Sequence, residues 1–313
     1  MQQDAQYGNI SPTFPTLDMG LNLTGAARID RMIQYFNDEA DLATDDTAMD
    51  VDVVGFSRGA AEARDFANQI VSHTKNGWYS YTVTQNGIKE TRCQKVDFRF
   101  MGLWDTVLST NAGRTYNMAI SNEFACVAQA VALNEYRGDV FHPYGSRGAF
   151  PLESIMQGMY SPVPTPGQTR IELGFIGAHA DIGGGFGANE SQLAQVALAW
   201  MVNQATAAGV QMGDAPSTII ASPVIHDKSD SILTGAPAPS AEDRTVRYRN
   251  GSTTTQRNMV LSSGMTYADT QQFINYVPAN DLARKNFITG TVNMQAYLDW
   301  LNANGYYLNM TVQ

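Results

Sequence analysis

The chain has 313 residues, 43% of them hydrophobic and 16% charged, with 20 Lys and Arg against 30 Asp and Glu for a formal charge of −10. That describes an ordinary folded protein able to bury one large core or two modest ones. Its acidity argues against nucleic acid as a partner and against a polybasic grip on anionic membranes. No uninterrupted apolar run approaches transmembrane length, and the opening MQQDAQYGNI has neither the basic nor the apolar region of a Sec signal. Synthesis in the cytoplasm is therefore expected, with any export by another route. Two cysteines, Cys93 and Cys126, are too few for a disulfide framework or a zinc site. No cluster of other metal ligands stands out, and neither a metal nor a cofactor is expected.

In chain order, residues 1–23 are rich in Gly, Pro and Asn and are expected to be loop. Thr24 is placed to cap a helix running to about Asn37, with Ile29, Met32, Ile33 and Phe36 on one face. An acidic link, Asp38 to Asp50, leads into the β-branched run Val51, Val53, Val54, which predicts a short buried strand. After Gly55-Phe56-Ser57-Arg58-Gly59 comes a helix with Ala60, Ala63, Phe66, Ala67 and Ile70 on its apolar side. Residues 74–95 suggest a polar hairpin around Asn86-Gly87. Phe98 to Trp104 is a second buried strand, ending at Asp105, and residues 117–137 are expected to be helical, with Phe124, Val127, Ala128, Val131 and Leu133 clustered. A surface loop from Gly145 to Gly167 precedes the third strand, Ile171 to Ile176. This strand runs into Gly177-Ala178-His179-Ala180-Asp181-Ile182-Gly183-Gly184-Gly185. A helix from Ser191 to Ala208 is ended by Gly209. Beyond it lie a polar strand, Arg244 to Arg249, and a helix near Val292 to Asn304. Strands without alternation, separated by helices, predict an α/β fold: a doubly wound, mostly parallel sheet with helices on both faces.

Gly55 to Gly59 has the G-x-S-x-G pattern of a nucleophile elbow, with the strand before and the helix after that this motif requires. At such a turn the serine sits in strained backbone geometry and its Oγ is pushed out above the sheet. The new helix aims its N–H groups, that of Arg58 among them, at a developing oxyanion. Loops at the carboxyl ends of parallel strands form the ligand crevice, and three such ends present Ser57, Asp105 and His179. Their order is that of α/β-hydrolases. The roles follow: Ser57 attacks an acyl carbon, His179 takes and returns the proton, and Asp105 fixes the imidazole tautomer. Each residue also has a plainer reading. Asp105 suits a turn with Thr106, and His179 a buried, satisfied histidine. Asp181 competes as the carboxylate, although two residues from His179 it better suits a bracing role. Among the four histidines, His73 and His142 are poorly placed. His226, in Pro223-Val224-Ile225-His226-Asp227, is the serious rival base.

GFSRGAAEAR, FMGLWDTV, VALNEYRGDVFHP and ELGFIGAHADIGGGF, in that order, resemble successive motifs of one family. It is the α/β-hydrolase domain, long catalogued as of unknown function, that forms the catalytic part of bacterial type VI secretion lipase effectors of the phospholipase type. The resemblance spans about residues 20–230. It implies a triad at Ser57, Asp105 and His179 and phospholipase A activity on glycerophospholipids, toxic in the periplasm of a rival cell. It also implies an immunity protein and a secretion spike or chaperone as partners. Family members open with a strand and an Asp-Gly-Thr-Asn-like loop that this chain lacks. N-terminal strands are therefore expected from a missing segment or a separate chain, which would also supply the second oxyanion donor. The whole chain, 1–313, is expected to be one catalytic domain, with about 230–290 a lid or insertion. A soluble carboxylesterase acting on small esters and an inactive hydrolase scaffold used for binding are the alternatives.

Overall fold

The computed structural model describes residues 24–43, 47–108, 115–137, 151–158, 166–227, 244–278 and 287–313. The first elements are α1 (Gly25–Leu42), β1 (Met49–Phe56), α2 (Arg58–Ser72), β2 (Thr74–Lys75), β3 (Trp78–Gln85), β4 (Ile88–Trp104), β5 (Cys126–Ala132), β6 (Leu152–Glu153) and β7 (Thr169–Phe175). They are followed by α3 (His179–Gly183), α4 (Gln192–Ala207), β8 (Thr218–Ile219), β9 (Val224–His226), β10 (Thr245–Arg247), β11 (Thr253–Thr255), α5 (Tyr267–Thr270), β12 (Ile274–Tyr276), β13 (Ile288–Val292), α6 (Met294–Ala303) and β14 (Thr311–Val312). The expected loops at 1–23 and most of 145–167, together with His142, lie outside the described residues, as do 230–243 and 279–286 of the expected lid.

The hub is β4, a strand of 17 residues. Its first half pairs antiparallel with β3 across the turn at Asn86 and Gly87, both at positive φ. Its second half pairs parallel with β1 along one edge and with β5 along the other, and β5 pairs parallel with β7. The second arm of the expected polar hairpin and the expected second buried strand are thus parts of one continuous strand. Four parallel strands in the order β1-β4-β5-β7 bring the ends of β1, β4 and β7 to one rim.

The expected helix over 117–137 is corrected: Cys126–Ala132 is strand β5, and every residue of it is buried. Cys126, Ala128, Ala130 and Ala132 enter the core shared with α4 and α6, whereas Val127 and Val131 enter the core shared with α1 and α2. A strand flanked on both edges and covered on both faces has no exposed side to betray its period of two. Its apolar residues then mimic helical spacing, and burial overrides the helix propensity of Ala. Two smaller corrections concern α1. It runs on to Leu42, absorbing the start of the expected acidic link, and Thr24 makes no side-chain cap; its Oγ1 accepts from Arg28 instead, at 2.8 Å. The helices otherwise expected after Ser57, after Ser191 and near the C-terminus are α2, α4 and α6. Among the described residues no helix is long and apolar enough to cross a membrane.

Candidate active site

Ser57 stands between β1 and α2 with φ 61° and ψ −132°. A non-glycine residue in such a conformation stores strain on the order of 1–3 kcal/mol and must be held by its surroundings. Here the Ser57 N–H donates to the Trp104 carbonyl on the neighbouring strand at 3.0 Å, and the Ser57 carbonyl accepts from Ala60 at 3.1 Å. Gly55 is required by the crossing itself, since a Cβ there would lie 2.6 Å from the Cα of Ala60. Gly59, by contrast, has open space where a Cβ would go. Of the motif's two glycines, only the first is needed for close approach of strand and helix.

His179 begins α3, just beyond the end of β7, and its Nε2 lies 2.7 Å from Ser57 Oγ. Its Nδ1 lies 2.6 Å from Asp105 Oδ2. Asp105 follows β4 at φ 45° and is wholly buried. Burial alone would raise its pKa. The Arg244 guanidinium and the hydrogen bond from His179 outweigh this and hold the carboxyl well below the usual range. An ionised carboxylate only accepts, so Nδ1 carries the proton and Nε2 of the neutral ring is left to accept from the serine hydroxyl. Burial keeps His179 below the ordinary imidazole pKa, against the opposing pull of Asp105. The ring packs at 4.6 Å against that of Phe56. Gly183 makes room for this contact, because a Cβ there would fall 2.1 Å from the Phe56 ring.

The rival histidine sits elsewhere. His226, at the end of β9, is fully buried with Nδ1 2.7 Å from Asp181 Oδ1, and its own N–H donates to Asp181 Oδ2 at 3.0 Å. Asp181 Oδ2 also accepts from the Ala178 N–H at 3.0 Å, bracing the turn that leads into α3. His73 is exposed, with Nδ1 beside the Gln69 carbonyl and the Ser72 hydroxyl. The structure therefore brings Ser57, His179 and Asp105 together and leaves Asp181 and His226 as a separate pair. Arg58 opens α2, so its N–H belongs to the helix N-terminus beside Ser57.

Three contributors escaped the sequence reading. Glu135, just past β5, accepts the His179 N–H at 3.1 Å and pairs with Arg137 at 2.8 Å. Burial would raise its pKa, but Arg137 holds it down to about 2. Arg244 grips both oxygens of Asp105, at 2.7 and 2.5 Å. Phe56, inside the elbow motif itself, supports the His179 ring. VALNEYRGDVFHP did single out the neighbourhood of Glu135, but nothing near Arg244 set it apart from other surface-type arginines.

Residues 69–204 match a family described as T6SS, phospholipase effector Tle1-like, catalytic domain. The matched stretch contains Asp105 and His179, begins after Ser57 and ends before His226 and Arg244. An uncharacterized protein from Pseudomonas aeruginosa of known crystal structure is 25% identical, with a TM-score of 0.38, covering 59% of this chain and 26% of its own. The chain thus spans about a quarter of the length of that protein. No curated protein matches it.

Proposed function

With residues 69–204 belonging to the Tle1-like phospholipase effector family of type VI secretion, we propose that this chain is a serine hydrolase of α/β-hydrolase type that cleaves acyl esters of glycerophospholipids, in the manner of a phospholipase A. The observation that carries the reading is the line Ser57 Oγ to His179 Nε2 at 2.7 Å and His179 Nδ1 to Asp105 at 2.6 Å. Ser57 attacks the ester carbonyl as His179 takes its proton. The tetrahedral oxyanion forms beside the N-terminus of α2, where the Arg58 N–H is one donor. His179 then protonates the leaving alcohol, and water, activated by the same imidazole, releases the fatty acid from the acyl-enzyme. Asp105 holds the tautomer throughout. On this reading the chain acts as one catalytic domain in the periplasm of a rival cell, and an immunity protein and a secretion spike or chaperone are its partners.

The test is labelling by a fluorophosphonate together with turnover of phospholipid vesicles and of a short-chain soluble ester. Labelling lost in Ser57→Ala and turnover higher on vesicles support the proposal. Turnover of the soluble ester with no gain on vesicles points to a carboxylesterase. A folded protein that takes no label and turns over neither substrate is a binding scaffold.

A further inference from the structure

Asp105 has more partners than the proposed mechanism uses. Oδ1 accepts from the Ala132 N–H at 2.9 Å and from Arg244 Nη2 at 2.5 Å; Oδ2 meets His179 Nδ1 at 2.6 Å and accepts from Arg244 Nη1 at 2.7 Å. Arg244 is itself fully buried and is anchored beyond the carboxylate: Nη2 also donates to the Ala132 carbonyl at 2.9 Å, and Nε donates to Gln256 Oε1. Gln256 in turn donates to the carbonyls of Leu133 and Glu135 at 2.6 and 3.2 Å. The hairpin of β10 and β11 thus spans from Arg244 to Gln256 and delivers a fork-shaped cation to the acid from a part of the chain far from the three strand ends.

A buried guanidinium in two-pronged contact with a carboxylate does two things. It fixes the plane of the carboxylate, and it cancels most of the charge that would otherwise attract a proton onto the neighbouring imidazole. Among the described residues, the charged groups near His179 come in pairs by element. Asp105 comes from the end of β4 and Arg244 from the start of the β10 hairpin, a matched pair. Glu135 and Arg137, from beyond β5, form a second matched pair. Ser57 is neutral, and Asp181 on the same short helix is engaged by His226. Remove Arg244, and His179 faces one unbalanced buried negative charge.

Resting on the assignment of Ser57, His179 and Asp105 above, we propose that Arg244 is a positioning residue for the reaction: it holds Asp105 in the orientation that meets His179 and, by cancelling the carboxylate's charge, sets the lower pH limit of activity. The residue acts through Asp105 and touches neither substrate nor serine.

The experiment is the pH profile of kcat/KM on a short-chain soluble ester, so that vesicle binding does not enter. In Arg244→Gln the acid limb moves up by about one pH unit, because one opposite charge close to a titrating pair is worth at least that, and kcat falls. In Arg244→Lys the charge stays but one ammonium cannot hold both oxygens, so kcat falls while the limb stays near that of the unmodified protein. A folded Arg244→Gln whose limb does not move overturns the proposal, whatever its kcat, as does Arg244→Lys with unchanged kcat. If Arg244→Gln does not fold, the charge-balanced double variant Asp105→Asn with Arg244→Gln replaces it. Its activity equals that of Asp105→Asn alone if Arg244 works only through Asp105, and a further drop overturns the proposal. Ser57→Ala keeps the two levels distinct. Turnover surviving in Ser57→Ala sinks the assignment of Ser57 as nucleophile on which this inference rests, whereas turnover lost there with an unmoved limb in Arg244→Gln sinks only this inference.

Discussion

Two buried imidazole–carboxylate pairs each take one member, His179 or Asp181, from the short helix α3, and they differ in what surrounds them rather than in their own geometry. His179–Asp105 and His226–Asp181 close at 2.6 and 2.7 Å through the same ring nitrogen. Asp105 is pinned by a guanidinium and lies far below its ordinary pKa, whereas burial lifts Asp181 above its own despite the hydrogen bonds from His226. The second ring nitrogen of His179 meets the hydroxyl of Ser57. That of His226 lies beneath the Phe186 ring, stacked at 3.6 Å, and 3.7 Å from Glu190 Oε2, with no hydrogen bond among the described residues. A histidine bonded to an aspartate is therefore no sign of catalysis by itself. The group facing the second nitrogen decides its role.

Breaking each pair should separate the two roles most sharply. Ser57→Ala and His179→Ala are expected to lower kcat by about four orders of magnitude or more while leaving the fold intact, as seen when members of a catalytic unit are removed. Steady-state turnover and circular dichroism check both halves of that statement. His226→Ala should leave turnover within about tenfold of the unmodified protein yet lower stability by about 1–3 kcal/mol, because it strands Asp181 as a buried acceptor. Urea unfolding measures this. Should His226→Ala abolish turnover in a protein of unchanged stability, the two pairs have been assigned the wrong way round.

A milder contrast lies in pH. His179 is held below its ordinary pKa by burial, so the ring stays neutral and able to accept the serine proton as pH falls through the usual imidazole range. The acid limb of kcat/KM should therefore lie below 6.5, the ordinary histidine value; a limb above it would mean that the charge of Asp105 outweighs desolvation. The smallest effect is expected from Glu190→Gln, which alters only the partly exposed carboxylate near His226 and should leave both turnover and the acid limb unchanged.

The strands and helices nearest the site were largely legible, and the reasons are local. The turn at Ser57 announces itself because strand, turn and helix occupy consecutive residues, and Gly55 is demanded by the crossing of strand and helix. The hairpin at Asn86-Gly87 is similarly self-contained, since both residues must take positive φ. β5 was misread because burial on both faces erases the periodicity by which a strand is recognised. Arg244 went unnoticed because its role exists only in relation to a carboxylate 139 positions away.

By itself the sequence determined the α/β class, the strand-turn-helix at Ser57 and the three polar residues at strand ends, because each is written in neighbouring side chains and their spacing. Only the tertiary structure decided which of two buried histidines faces the serine and which cation faces the acid. Those outcomes depend on parallel strand pairing, which sets distant residues side by side at one rim, and on a hairpin whose path no local pattern encodes.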